Sequence, residues 1–158
     1  MPGELELQTT QKENIMATEI SVRATWATEW QFEIDDDTGH RVTLDVDEQD
    51  GGHNEGFRPM GMLLVAIAGC MGMSVLPILL KKRQEVTGYE LHVHGVRAPE
   101  HPKVFTEISI EHVVSGHNVQ PEAMRRSIEL AETKYCGVSA MLGKTARITN
   151  TFRLLQAE

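Results

Sequence analysis

Cysteine is scarce in this chain: Cys70 and Cys136 are the only two in 158 residues. Residues Met1 to Asn14 are polar and lack the apolar stretch of a secretory signal. The default compartment is then a reducing cytoplasm, where two cysteines read as thiols rather than as a structural disulfide. Positive charge is also in short supply, with 15 Lys and Arg against 23 Asp and Glu and a formal net charge of -8. That balance argues against a nucleic-acid partner, because phosphate recognition needs clustered cations. The one basic run, Lys81-Lys82-Arg83, sits where the last turn of a helix favours positive charge. Internal repeats and low-complexity segments are lacking too.

What remains is ordinary for a globular chain: 41% hydrophobic and 24% charged residues. A domain of this length buries roughly 70% of its unfolded surface. Met16 opens the first apolar-patterned stretch. Residues 1–16 therefore read as a flexible extension and 17–158 as a single domain.

The patterning predicts an α+β protein. Ile20, Val22, Ala24 and Trp26 alternate with Ser21, Arg23 and Thr25, as in a half-buried strand. Trp30, Phe32 and Ile34 repeat the pattern before a turn at Asp35 to Gly39, and Val42, Leu44 and Val46 repeat it again. This is a three-stranded meander, followed by a polar loop from Asp47 to Gly56.

From Pro59 to Leu80 there is no charge at all. Proline suits the first helical position and the cationic triplet closes the far end. Apolar residues on every face require a helix buried all round or one in lipid. About 20 uncharged residues suffice for a membrane span. However, Gly61, Gly69, Gly72, Ser74 and Pro77 dilute the stretch, and the rest of the chain is patterned for a soluble sheet around it. A buried central helix is the expectation, without a membrane.

A hairpin follows, with Tyr89, Leu91 and Val93 on one face and a turn at Pro99 to Pro102. Pairing Leu91 with Ile110 and Val93 with Ile108 keeps one face apolar. Gln120-Pro121-Glu122 opens an amphipathic helix ending near Lys134, Cys136 to Leu142 forms a short one, and Thr145 to Leu155 reads as a last strand.

Each candidate residue has a bland reading beside a functional one. Cys70 lies in mid-helix, where a free cysteine usually serves as a small apolar filler. A reactive thiol needs a lowered pKa, and the helix start lies about 16 Å away, too far for its dipole to act. A reactive Cys70 thus requires a cation supplied by tertiary structure. Cys136 either packs beside Tyr135 or, just before a short helix, gains from unpaired N–H groups that favour a thiolate. The two lie too far apart for a C-x-x-C redox or metal motif, and pair only if the fold brings their Cα atoms within about 7 Å. His92 and His94 share a strand face near Glu107 and Ser109, a weak zinc signal that reads as a solvated face. Arg23, alone, is a surface arginine. No cofactor or metal is expected.

Two segments carry a resemblance. Pro59-Met60, the apolar run ending in Ala68-Gly69-Cys70, and Ile78 to Gln84 are similar to the central helix of the OsmC-like family. Lys134 to Leu142 resembles its second cysteine motif. This family includes the osmotically inducible and organic hydroperoxide resistance proteins. The likeness runs from about Ile20 to Leu155 and is closest to the short OsmC-like branch.

The resemblance implies an intertwined homodimer in which two central helices pack between sheets. It implies a thiol peroxidase in which Cys70 attacks a hydroperoxide, Cys136 resolves the sulfenic acid as a disulfide, and Arg23 holds the first thiolate. An external dithiol, lipoyl or thioredoxin-like, restores both thiols. Met62, Ile67 and Met73 are the expected apolar lining. Family peroxidases carry a glutamate one or two positions after the proline, where this chain has Met60 and Gly61. That departure leaves Arg23 without its usual partner, with Glu55 the nearby acid, and it keeps two alternatives open: a non-catalytic protein for a lipid-like ligand, and a cysteine-based redox sensor.

Overall fold

The structure, a computed structural model, describes residues 18–157, so the expected extension at 1–16 lies outside the described residues. The chain forms two compact units, one up to Gly56 and one from Phe57 onward.

The first unit is an antiparallel meander of β1 (Val22–Thr28), β2 (Gln31–Asp36) and β3 (Arg41–Leu44). Ala24 pairs with Ile34 and Trp26 with Phe32, while Phe32 and Ile34 pair in turn with Leu44 and Val42. The apolar positions of all three strands therefore share a face, as period-two alternation requires. The Asp36 carboxylate accepts the N–H groups of Thr38 at 2.9 Å and His40 at 2.7 Å, which closes the β2–β3 turn. These donors, with the Thr38 hydroxyl foremost, hold its carboxyl well below the usual range.

The third strand stops two residues short of the expected Val46, and Asp45 is the reason. Its side chain turns inward, 2% exposed, and accepts N–H groups from Val46 (2.8 Å), His53 (3.1 Å) and Glu55 (3.2 Å). Burial alone works to raise this carboxyl, but the three donors outweigh it and the net direction is down. One acid thereby folds the loop that alternation had left as merely polar. The loop also carries a short 3-10 turn at Glu48–Asp50.

The second unit holds α1 (Pro59–Lys81), β4 (Glu85–Arg97), β5 (Phe105–His117), α2 (Pro121–Leu130), α3 (Gly137–Leu142) and β6 (Arg147–Gln156). The sheet order is β4-β5-β6, with β4 antiparallel and β6 parallel to the central strand. A parallel neighbour demands a long crossover, and here the crossover carries α2 and α3. Both pack against α1.

By length and composition α1 could cross a membrane. In this chain Ile67, Met71, Val75 and Leu79, spaced four apart, form a fully buried stripe in the core with Ile108, Ile110, Val114, Met124 and Ile128. Each such side chain contributes about 1.5–3 kcal/mol of transfer free energy. The opposite face is open to solvent within one chain: Val65 is 43% exposed and Met73 80%. The expectation of burial on every face is thus met on one side only by this chain's own residues.

The hairpin register differs from expectation by two residues. Leu91 pairs with His112 rather than Ile110, and Val93 with Ile110 rather than Ile108. A bulge between Val96 and Arg97 lengthens the connection. A shift of two preserves which side chains face the core, so the apolar face is as expected although the partners are not.

Candidate functional site

Cys70 occupies the middle of α1 and is half-buried, whereas Cys136 is 2% exposed; both are free thiols. The crossover brings them together. After α2 the helix widens into a π turn at Ala131–Tyr135, closed by the Cys136 N–H on the Ala131 carbonyl, five residues back, at 2.8 Å. The chain then turns extended at Cys136, which caps α3, and α3 lies against α1. Single π turns of this kind recur where a side chain must be re-aimed at a functional site.

The two thiols are near enough for Cys70 to influence the ionisation of Cys136. The Cys136 sulfur also accepts the Ser139 N–H at 3.2 Å. The expectation from sequence was that N–H groups at the helix start would favour a Cys136 thiolate. They do pull in that direction, but burial is the larger effect. Burial, then the neighbouring Cys70 sulfur, push the Cys136 thiol up to about 11. Cys136 is therefore protonated at neutral pH, beside Cys70. On the other side of Cys70, its carbonyl accepts the Ser74 hydroxyl at 2.7 Å.

An open cavity of about 450 Å³ runs along the same helix, lined by Met73, Ser74, Pro77, Ile78 and Lys81 of α1 and by Leu130 and Tyr135 of the crossover. Of the lining expected from sequence, Met73 is present; Met62 does not line this cavity, and Ile67 belongs to the fully buried core stripe instead. Helical spacing alone, where every face is apolar, could not separate the two.

Arg23 belongs to the first unit, where its side chain is 79% exposed. It does have a carboxylate neighbour: Asp35, its cross-strand partner on β2, at 3.8 Å. Arg41 holds the same carboxylate more firmly, through bonds of 2.7 and 3.0 Å, and is the main cause of its lowered pKa. Glu55, the acid nearest the proline in sequence, instead accepts from Gln31 at 3.2 Å. His92 lies between Glu90 (3.2 Å) and Glu111 (3.3 Å) on the exposed sheet face, not beside Glu107, which engages Arg147 at 2.9 Å. His94 is opposite Ser109, as expected.

Sequence reasoning missed a second buried polar group. His112, fully buried on β5, receives the Tyr89 hydroxyl on Nδ1 at 2.6 Å and meets the Asn150 carbonyl oxygen through Nε2 at 3.0 Å. With the phenol donating to Nδ1, the proton of the neutral ring sits on Nε2. Burial lowers the His112 pKa and raises that of Tyr89. The signal was present in alternation, since residue 112 shares parity with Ile108, Ile110 and Val114.

Comparison with known proteins fits this arrangement. Residues 52–151 match the family model described as OsmC-like protein. The Escherichia coli K12 protein YhfA is 31% identical over 87% of this chain and all of its own length. A crystal structure of a protein from Aquifex aeolicus VF5 is 30% identical, with a TM-score of 0.79 over 90% of this chain and 100% of that one. The organic hydroperoxide resistance protein OhrB of Bacillus subtilis shares the fold at 15% identity and a TM-score of 0.60, over 86% and 98% of the two chains.

Proposed function

This chain belongs to the OsmC-like family, and from that premise we propose that it reduces organic hydroperoxides through Cys70 and Cys136. The observation that carries the reading is the proximity of the two thiols, one of them held protonated. Cys70 as thiolate attacks the outer peroxide oxygen, the O–O bond breaks, and the departing alkoxide takes a proton to leave as an alcohol. The sulfur is left as a sulfenic acid. Cys136 then attacks that sulfur; its thiol proton leaves with the displaced hydroxide as water, and a Cys70–Cys136 disulfide remains. An external dithiol returns both sulfurs to thiols, itself becoming a disulfide. Arg23 is the residue assigned to hold the Cys70 thiolate, on the strength of its place in the first strand.

The working form in this reading is a soluble homodimer. Its support is the exposed apolar face of α1 around Val65, Met73 and Leu80, which a second copy would cover. A cysteine-based redox sensor would use the same disulfide but consume peroxide only once. The deciding measurement is consumption of cumene hydroperoxide in the presence of dihydrolipoamide. Wild type should turn over many equivalents and Cys70→Ser none. A wild-type protein that stops after one equivalent would be a sensor, and one that consumes nothing is no peroxidase.

A further inference from the structure

We propose that the recess between the π turn, α3 and the start of β6 binds a small aliphatic amino acid, and that a bound ligand holds the segment around Cys136 closed. Neither the binding nor the closure depends on the peroxidase reading. The recess is open and has a volume of about 320 Å³, within the usual small-molecule range of roughly 300–1,000 Å³. The π turn contributes Glu132 to its lining, and α3 and the segment after it contribute Ser139 and Lys144. No lining residue comes from α1, so the face assigned to a second copy takes no part.

Three polar side chains of this lining have no partner among the described residues. The Glu132 carboxylate is on a half-buried residue and the Lys144 ammonium on an exposed one, and neither forms an ion pair there. Ser139 is only 4% exposed, and its hydroxyl makes no hydrogen bond among those residues. Within the same residues, Asn150 carries the one fully covered side-chain polar atom without a partner. The unbonded Ser139 hydroxyl is therefore not sealed in, and it opens on the recess. Arg147, the other cation of the lining, is taken by Glu107 at 2.9 Å. Glu132 and Lys144 share the recess without pairing, which leaves both charges to something between them. A bare anion would meet Glu132 and a bare cation Lys144. A molecule carrying both charges satisfies each, its ammonium at Glu132 and its carboxylate at Lys144 and the Ser139 hydroxyl. Ala140 and Gly143 add little bulk, and Ile148 offers apolar surface to an aliphatic side chain.

The same groups flank Cys136 along the chain, with Glu132 before it and Ser139 and Lys144 after it. The Ser139 N–H also bonds the Cys136 sulfur at 3.2 Å. Cys136 is 2% exposed, so a reagent reaches it only when this segment opens locally. A ligand joined to both sides binds the closed segment alone. It then suppresses opening in proportion to its concentration over Kd, about tenfold at ten times Kd.

The test uses the full-length reduced protein and three probes in titration calorimetry. These are L-leucine, leucinamide, which lacks the carboxylate, and 4-methylpentanoate, which lacks the ammonium. L-Leucine should bind several-fold more tightly than either, since an accessible ion pair is worth up to about fivefold. Glu132→Gln should erase its advantage over 4-methylpentanoate, and Lys144→Met its advantage over leucinamide. Each variant controls for the other, because each should keep the preference that the other loses. Absence of leucine binding, equal binding of the three probes, or preferences that survive both substitutions overturn the site. Iodoacetamide labelling of Cys136 in Cys70→Ser, where one thiol reports, reads the closure. L-Leucine at ten times its Kd should slow that labelling about tenfold. An unchanged rate overturns the hold on Cys136. Neither measurement uses peroxide, so a protein that passes both yet consumes no hydroperoxide upholds this inference and loses only the peroxidase reading.

Discussion

Cys136 lies beside Cys70 in the fold, and the neighbouring sulfur helps, after burial, to keep Cys136 protonated. Because a thiol is a poor nucleophile, this arrangement orders the chemistry, with Cys70 first and Cys136 second. Burial is the larger cause of the raised pKa and persists when Cys70 is removed. In Cys70→Ser, alkylation of Cys136 by iodoacetamide should therefore have its midpoint well above the roughly 8.5 of a free thiol. An ordinary midpoint would mean that Cys136 is far more accessible than its 2% exposure indicates.

One equivalent of cumene hydroperoxide should remove both free thiols and leave a disulfide between Cys70 and Cys136 of one chain. In Cys136→Ser the same treatment should stop at a sulfenic acid on Cys70, trapped by dimedone and read by mass spectrometry. Survival of both thiols in excess peroxide would refute the redox pair.

Arg23 and Gly61 give a test of the missing glutamate. A Cβ at Gly61 meets nothing within 4 Å, so a side chain can start there without a clash. Gly61→Glu also replaces the residue that is poorest, after proline, in a helix interior. If the glutamate's role is to fix Arg23 near the thiolate, Gly61→Glu or Met60→Glu should speed the reaction of Cys70 with peroxide. Arg23→Ala should erase the gain and slow the wild-type reaction by up to about a hundredfold, the scale that precise placement commands. Should neither glutamate variant react faster, the Asp35→Asn rate tells whether Asp35 already fills the role.

The buried Tyr89–His112–Asn150 chain should appear in stability rather than in turnover. Tyr89→Phe leaves Nδ1 of a fully buried ring without its donor, at a cost of about 1–3 kcal/mol in urea unfolding. Burial depresses the His112 pKa in the folded state, so the unfolded chain binds more protons once pH falls below about 6.5. Stability should therefore decline as pH drops from there, and His112→Phe should flatten that part of the curve. An unchanged acid limb would place the proton uptake elsewhere.

Sedimentation at micromolar concentration should give about twice the 17.7 kDa chain mass. Val65→Glu, a charge in the middle of the exposed apolar face of α1, should shift the protein to monomer. A wild-type monomer would leave that face without its proposed cover.

Much of the molecule is set by local pattern. Alternation placed the strands, and the uncharged run from Pro59 with its cationic end placed α1 to within a residue. These signals survive because period-two and helical patterns depend only on neighbours along the chain. The two-residue error in the hairpin left the core face intact for the same reason, since parity alone decides which side is buried. The family match likewise needed only the two cysteine segments.

Other features depend on partners distant in sequence. Asp45 reads as a solvent-facing strand residue until three N–H groups of the following loop converge on it. Ala131–Tyr135 reads as more of α2; its widening into a π turn shows only when the Cys136 N–H reaches back to Ala131. Above all, the contest at Cys136 between helix-start N–H groups and burial could not be judged from sequence. The N–H groups are local and predictable, but the desolvation that outweighs them comes from the place of Cys136 in the buried core, where the crossover packs against α1.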